Sequence, residues 1–153
     1  MDENTGAEQA TMERPGPLPG DAVLIPRAIR EGMVAHAVAE LPNEACGLLA
    51  GPEGRFEHLF PMTNADHSSL TYRLDPLEHL RTFDEIDERG WELAGIFHSH
   101  VRSEAYPSAT DRRLAFYPEA TYVLVSLQDR SAPDVRAFRI IDGEVSEREV
   151  VVR

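Results

Sequence analysis

The stretch "GIFHSHVRSEAYPSATD", Gly95 to Asp111, runs from an apolar strand-like segment into a polar turn containing Pro107. It places His98, His100, Ser108 and Asp111 within a short span. On a β-strand, side chains alternate between faces, so residues two apart point the same way. If the apolar run "ELAGIFHSH" (Glu92–His100) is a strand, His98 and His100 share one side and Ser99 faces the other. Two imidazoles so placed can hold one metal ion at about 2.0–2.1 Å. Asp111 follows the loop, near the start of a short helix, where the chain can turn back toward the strand end. Two histidines and one carboxylate leave a fourth position open, as in catalytic rather than structural zinc sites. Each piece also has a plainer reading, because Ser-x-x-Asp is a helix-capping pattern.

Hydrolysis at such a site needs a base. The candidate is Glu44, just before the apolar segment "ACGLLAG" (Ala45–Gly51) that should pair beside Glu92–His100. A carboxylate at that sheet edge can take a proton from water and pass it to a leaving amine. The plainer reading of Glu44 is a solvated turn residue. Ser108 has no base adjacent in sequence, so its better role is a hydrogen-bond donor to an oxyanion.

The rest of the chain sets the frame. Its 153 residues suit one domain with a substantial core. No apolar run is long enough to span a bilayer, and the N-terminus lacks a secretory pattern, so a cytoplasmic protein is expected. Cys46 is the only cysteine, which excludes internal disulfides and paired-cysteine zinc sites. The net charge of −12 argues against nucleic acid and against anionic membranes as partners. Every basic residue is arginine, so no side chain here can accept an isopeptide bond.

Residues 1–20 are polar, then rich in proline and glycine, and are expected to form a disordered tail ahead of one domain over 21–153. "AVLIP" (22–26) reads as a strand. Residues 26–41 carry apolar positions at helical spacing. Residues 43–51 and 55–64 read as neighbouring strands around a turn at Gly51–Gly54, and "TYRLD" (71–75) as a short extended piece. Asp75 and Pro76 should open a helix that Gly90 ends. "TDRRLAFYP" (110–118) predicts a short third helix, and 121–127 a core strand. Residues 135–152 read as one hairpin turning at Asp142-Gly143. The fold class expected is α+β: a mixed, partly antiparallel sheet flanked by helices.

Glu44, His98-Ser99-His100, seven residues, Ser108, two residues and Asp111 together resemble the motif of the JAMM/MPN-plus zinc metalloproteases. "NEACGLLAGPEG", "PMTNA", "YRLDP", "YVLVS" and "RIIDGEV" extend the resemblance to the compact bacterial branch, over roughly Ala22 to Val152. The resemblance implies a cytidine-deaminase-like architecture, with Zn2+ held by His98, His100 and Asp111. It implies Glu44 as general acid/base and Ser108 as the oxyanion donor. The implied partner is a small ubiquitin-like sulfur-carrier protein whose tail is cut after Gly-Gly. In that branch the residue released can be cysteine, for cysteine biosynthesis. The resemblance also admits trimming of another sulfur carrier, isopeptidase action on ubiquitin-like modifiers, or a non-catalytic scaffold, and a homodimer as the assembly. The carrier's tail is expected along an exposed strand edge.

Other conspicuous residues carry less. His36 and His79 lie on expected helices, His58 lacks an evident partner, and Trp91 should pack at a strand start. His67 stands in a polar loop that could border a groove, and Arg102, Arg112 or Arg113 could meet a substrate carboxylate. Cys46 reads as a small buried thiol, with a redox role left open by its nearness to Glu44.

Overall fold

The computed structural model describes residues 20–153. The tail expected over residues 1–20 lies, Gly20 apart, outside the described residues. The elements in chain order are β1 (Val23–Ile25), α1 (Arg27–Ala39), β2 (Cys46–Gly51), a 3-10 turn (Pro52–Gly54), β3 (His58–Met62) and α2 (Pro76–Glu88). Then come β4 (Glu92–His100), α3 (Ala109–Arg113), β5 (Thr121–Ser126), β6 (Asp134–Ile141), β7 (Glu144–Arg148) and β8 (Val150–Val152).

Six strands form one sheet in the order β3-β2-β4-β5-β6-β7. Only the β4–β5 pair is parallel, so the sheet is mixed and mostly antiparallel, as the α+β reading expects. The two central strands read as apolar runs rather than alternations because both faces are covered. Leu49, Phe97, Val123 and Val125 face a cluster shared with Met33 and Ala37 of α1. Leu48, Ile96, Tyr122 and Leu124 face the opposite cluster, shared with Ile86 of α2. His98 and His100 follow Ile96 in the two-residue period and so belong to the α2 side, while Ser99 follows Phe97 to the α1 side.

Local chemistry sets the helix ends. The Asp75 carboxylate accepts from the N–H groups of Leu77 and Glu78, at 3.1 and 2.9 Å, and Pro76 takes the first helical position. Those bonds satisfy donors that a helix start leaves without partners. Gly90, with φ of +70°, closes α2 in a conformation that favours glycine.

The last hairpin departs from expectation. Its two arms pair as predicted from Ile141↔Glu144 to Ala137↔Arg148. Val150–Val152 then leaves the large sheet and pairs parallel with β1 in a separate two-stranded sheet. Arg148 makes the break. Its guanidinium donates to the carbonyl oxygens of Asp21 and Ala22 and to the Thr121 hydroxyl, drawing the N-terminal strand alongside. Val150 then packs against the α1-side cluster instead of extending an exposed edge.

Candidate metal centre

The antiparallel register Cys46↔His98 brings the start of β2 beside the end of β4. Beyond the regular ladder, Ser99 N–H donates to the Ala45 carbonyl at 3.0 Å, and Ala45 N–H donates to Ser99 Oγ at 2.8 Å. The residue between the two histidines therefore holds the backbone next to Glu44. This puts Glu44, 54 positions back from His98 in sequence, at the same sheet end.

His98 and His100 are both buried, and each Nε2 lies 3.0 Å from the same atom, Asp111 Oδ2. Asp111 is held there by its own helix. Ser108 is the N-cap of α3: its Oγ accepts from Asp111 N–H at 3.0 Å, and its N–H donates to Asp111 Oδ2 at 2.9 Å. The capping reading of Ser-x-x-Asp is therefore correct, and it does not compete with the ligand reading. The cap is what aims the carboxylate at the two imidazoles. Ser108 Oγ acts in the cap as an acceptor, so its proton stays free to donate elsewhere.

The donor set fits a metal ion on chemical grounds. His100 Nδ1 lies 2.7 Å from the Glu104 carbonyl, which can only accept, so Nδ1 carries the proton. In the neutral ring, Nε2 then presents a lone pair to the lone pairs of Asp111 Oδ2. That contact is favourable only with a cation between or on the two groups. One candidate ligand atom from each of His98, His100 and Asp111 falls within 4.8 Å of the others. Two ligand atoms on one tetrahedral zinc lie about 3.3 Å apart by the same bond lengths, close to the 3.0 Å found here. Imidazole and carboxylate ligands together suit several divalent first-row metals, zinc among them.

Electrostatics follow the same geometry. Burial works against the charge of Asp111, yet hydrogen bonds from both imidazoles hold its carboxyl far below the usual range. Burial also disfavours protonated His98 and lowers its pKa. His100 is buried too, but its bonds to Asp111 and the Glu104 carbonyl outweigh that and raise it. Glu44 is 2 % exposed, and burial pushes its carboxyl up to about 8. His100 pulls it down, while Asp111 and Asp66 push it further up. Its Oε1 has no hydrogen-bond partner among the described residues. A buried carboxyl with a free oxygen and a proton affinity near neutrality is suited to receive and return a proton.

Around this cluster the structure adds residues that the sequence reading passed over. The Tyr72 ring stacks on His98 at 4.2 Å and 19°. A cavity of about 310 Å³ opens beside Asp111. Its walls include Tyr72, Leu74, Ile96, Leu114, Phe116 and Tyr117. Ile96 lies two residues before His98 on the same strand face, so the cavity is on the side of the sheet that carries the imidazoles. His79 and the Arg73–Asp66 pair (3.3 Å) also line it, whereas His67 and the three arginines singled out from sequence do not. "TYRLD" carried the one available signal, an aromatic in an extended segment.

Two of the other histidines have structural partners. His36 Nε2 lies 3.2 Å from the Met62 carbonyl, and His58 packs on Phe60 and Trp91. The Cys46 thiol is buried and pushed up to about 12, chiefly by burial, which keeps it protonated and inert.

A mixed sheet presenting two imidazoles and a carboxylate at one end, with a buried carboxyl beside them, has the ligand and base inventory of a metal-dependent hydrolase. The family model for prokaryotic homologs of the JAB domain matches residues 26–141, and the chain belongs to that family. It is 48 % identical over 133 residues to the CysO-cysteine peptidase of Mycobacterium tuberculosis strain H37Rv, covering 85 % of this chain and 91 % of that protein. It is 34 % identical over 131 residues to a probable TtuB-protein conjugate cleaving protease of Thermus thermophilus, covering 85 % and 84 %. Among solved structures it resembles protein DSY2949 of Desulfitobacterium hafniense, at 38 % identity and a TM-score of 0.78, covering 86 % of this chain and 92 % of that one.

Proposed function

We propose that this protein is a zinc peptidase. It hydrolyses the amide bond after the C-terminal Gly-Gly of a small ubiquitin-like sulfur carrier in the cytoplasm and releases cysteine. The observation that carries the reading is Asp111 Oδ2, shared at 3.0 Å by two imidazole Nε2 atoms beside the buried Glu44. Similarity to a CysO-cysteine peptidase supports the substrate class. His98, His100 and Asp111 hold the ion. Zinc bound there would supply Lewis acidity to the attacking water and to the scissile carbonyl.

The chain's own groups do the rest. The carboxylate of Glu44 takes a proton as the water oxygen attacks the carbonyl carbon of the last glycine. The Ser108 hydroxyl donates to the developing oxyanion. As the C–N bond breaks, Glu44 returns its proton to the departing amine, leaving a carboxylate on the carrier and free cysteine. Asp111 keeps Ser108 in place through the α3 cap.

The carrier's tail has a track. Arg73 pairs with residues 64 and 65: its carbonyl accepts from Ala65 N–H at 2.7 Å and its N–H donates to Asn64 Oδ1 at 3.1 Å. The alternation of an extended segment turns the N–H and C=O groups of Tyr72 and Leu74 the other way. An extended peptide can add to that edge, beside His98 and over the cavity. Glycines at the cut pass the narrow site, and the cavity takes a bulkier upstream side chain.

Similarity to the probable TtuB-protein conjugate cleaving protease favours a second reading, isopeptide cleavage. Two substrates separate them: a carrier ending in Gly-Gly-Cys, and the same carrier joined through its diglycine to a protein lysine. We expect free cysteine from the first at a kcat/KM at least tenfold above cleavage of the second. Equal or reversed rates would transfer the function to deconjugation.

A further inference from the structure

Asn64 is 2 % exposed and lies in the "PMTNA" stretch, outside the motif that carries the candidate ligands and base. Its amide is fully used. Nδ2 donates to the carbonyls of Glu44 (3.1 Å), Thr71 (2.9 Å) and, more weakly, Ser68 (3.4 Å). Oδ1 accepts from the N–H groups of Asp66 (2.9 Å) and Arg73 (3.1 Å). Three partners can only accept and two can only donate, so the amide has one orientation and neither aspartate nor leucine can replace it. Glu44 is held from its other side by the same loop, its N–H donating to the Ser68 carbonyl at 2.8 Å.

One buried side chain thus ties together two things whose other direct link is the Glu44 N–H bond to the Ser68 carbonyl. One is the backbone of Glu44. The other is the 66–73 loop, which carries the Tyr72 ring onto His98 and ends in the Tyr72–Leu74 edge. We propose that Asn64 is a positioning residue for the reaction. Its amide fixes where the Glu44 backbone stands and keeps the segment 72–74, bridged to Asn64 at Leu74, in the conformation that receives substrate. The proposal rests on the hydrolytic reading above for its kinetic consequence, but not for its structural one.

The mechanism is geometric. Glu44 Oε1 is buried without a hydrogen-bond partner among the described residues, so the carboxyl takes its place from its backbone and from the groups packed around it. Misplacing a catalytic group by about 1 Å can cost on the order of 10²-fold in rate. Loosening the edge weakens binding of an extended tail at the same time.

The test uses zinc-loaded full-length protein and the variants Asn64→Asp and Asn64→Ala. Zinc per folded chain is measured first. Then kcat and KM are measured on a carrier ending in Gly-Gly-Cys, and amide hydrogen exchange is followed at Glu44. The expected result is unchanged zinc, kcat lowered at least tenfold, KM raised at least threefold, and Glu44 N–H exchange at least tenfold faster. The Leu127 N–H, bonded to the His100 carbonyl at 2.9 Å on the far side of β4, keeps its wild-type protection. A purely structural role would lower the active fraction, so kcat and zinc would fall together with KM unchanged, and that result overturns the proposal. Wild-type protection at Glu44 in both variants overturns it as well. If the wild-type protein leaves the substrate intact, the peptidase reading fails, and exchange at Glu44 still decides the role of Asn64.

Discussion

Glu44 shows how burial sets the behaviour of a single residue. Its folded pKa of about 8 stands above the ordinary 4.5, with burial the largest cause. An acid whose folded value is raised contributes stability below its unfolded value and loses it as pH climbs through the folded one. Metal-free wild-type protein therefore loses stability between about pH 4.5 and 8 on account of this group. Glu44→Gln removes that loss. In chelator, the glutamine variant should melt above wild type at pH 8.5, by on the order of 1–4 kcal/mol, and the gap should shrink toward pH 4.5. A gap that does not vary with pH would mean the carboxyl is solvated. Ser108 carries two separable roles. Ser108→Ala should cost about 1 kcal/mol through the lost cap and about 10²-fold in kcat through the lost donor, whereas Ser108→Thr keeps both. Loss of stability with kcat intact would leave Ser108 as a cap alone. The sequence made both residues legible through spacing and neighbouring apolar runs. Asn64 and Tyr72 were not legible, because their importance lies in partners up to 26 positions away that only the folded loop brings near.

At the scale of elements, local signals carried most of the fold. The β4 run, the Asp75-Pro76 start of α2 and the Asp142-Gly143 turn all form where patterning placed them. Two elements depart from it: the helix expected over 110–118 stops at Arg113, ahead of Pro118, and Val150–Val152, which reads as a continued hairpin arm, pairs with β1. Nothing near Val150–Val152 in sequence signals the change, since the parallel partner comes from the other end of the chain. That small sheet packs near the start of β4, beside Glu92–Ala94, while the histidines stand at the strand's other end. Six residues of strand separate Ala94 from His100, roughly 20 Å at 3.3 Å per residue. Ile25, fully buried in β1, therefore tests stability apart from chemistry. Ile25→Ala should cost about 3 kcal/mol by leaving a cavity, with zinc content and kcat unchanged in the folded fraction. A fall in zinc per folded chain would mean the two ends of β4 are coupled more tightly than this packing implies.

For the whole molecule, metal, fold and chemistry converge on one end of one sheet. β4 and α3 supply the three candidate ligands, so an ion held there would tie the end of β4 to the helix that follows it. An ion bound only by the folded state stabilises it by mass action, about 4 kcal/mol when free metal is 1,000 times Kd. Chelation should lower the melting temperature by on the order of 10 °C for a domain of this size. His98→Ala should remove that dependence, and a chelator effect that survives the substitution would locate the ion elsewhere. No helix among the described residues is long and apolar enough to cross a membrane. The central claim is that His98, His100 and Asp111 with Glu44 cut after a carrier's diglycine, and the intact mass of the carrier tests it most directly. A ubiquitin-like sulfur carrier ending in Gly-Gly-Cys is incubated with zinc-loaded protein, with the same protein in chelator, and with Glu44→Gln. The account predicts a loss of one cysteine residue from the carrier in the first reaction and an unchanged mass in the other two. An unchanged mass in all three, or equal cleavage by the glutamine variant, would contradict it.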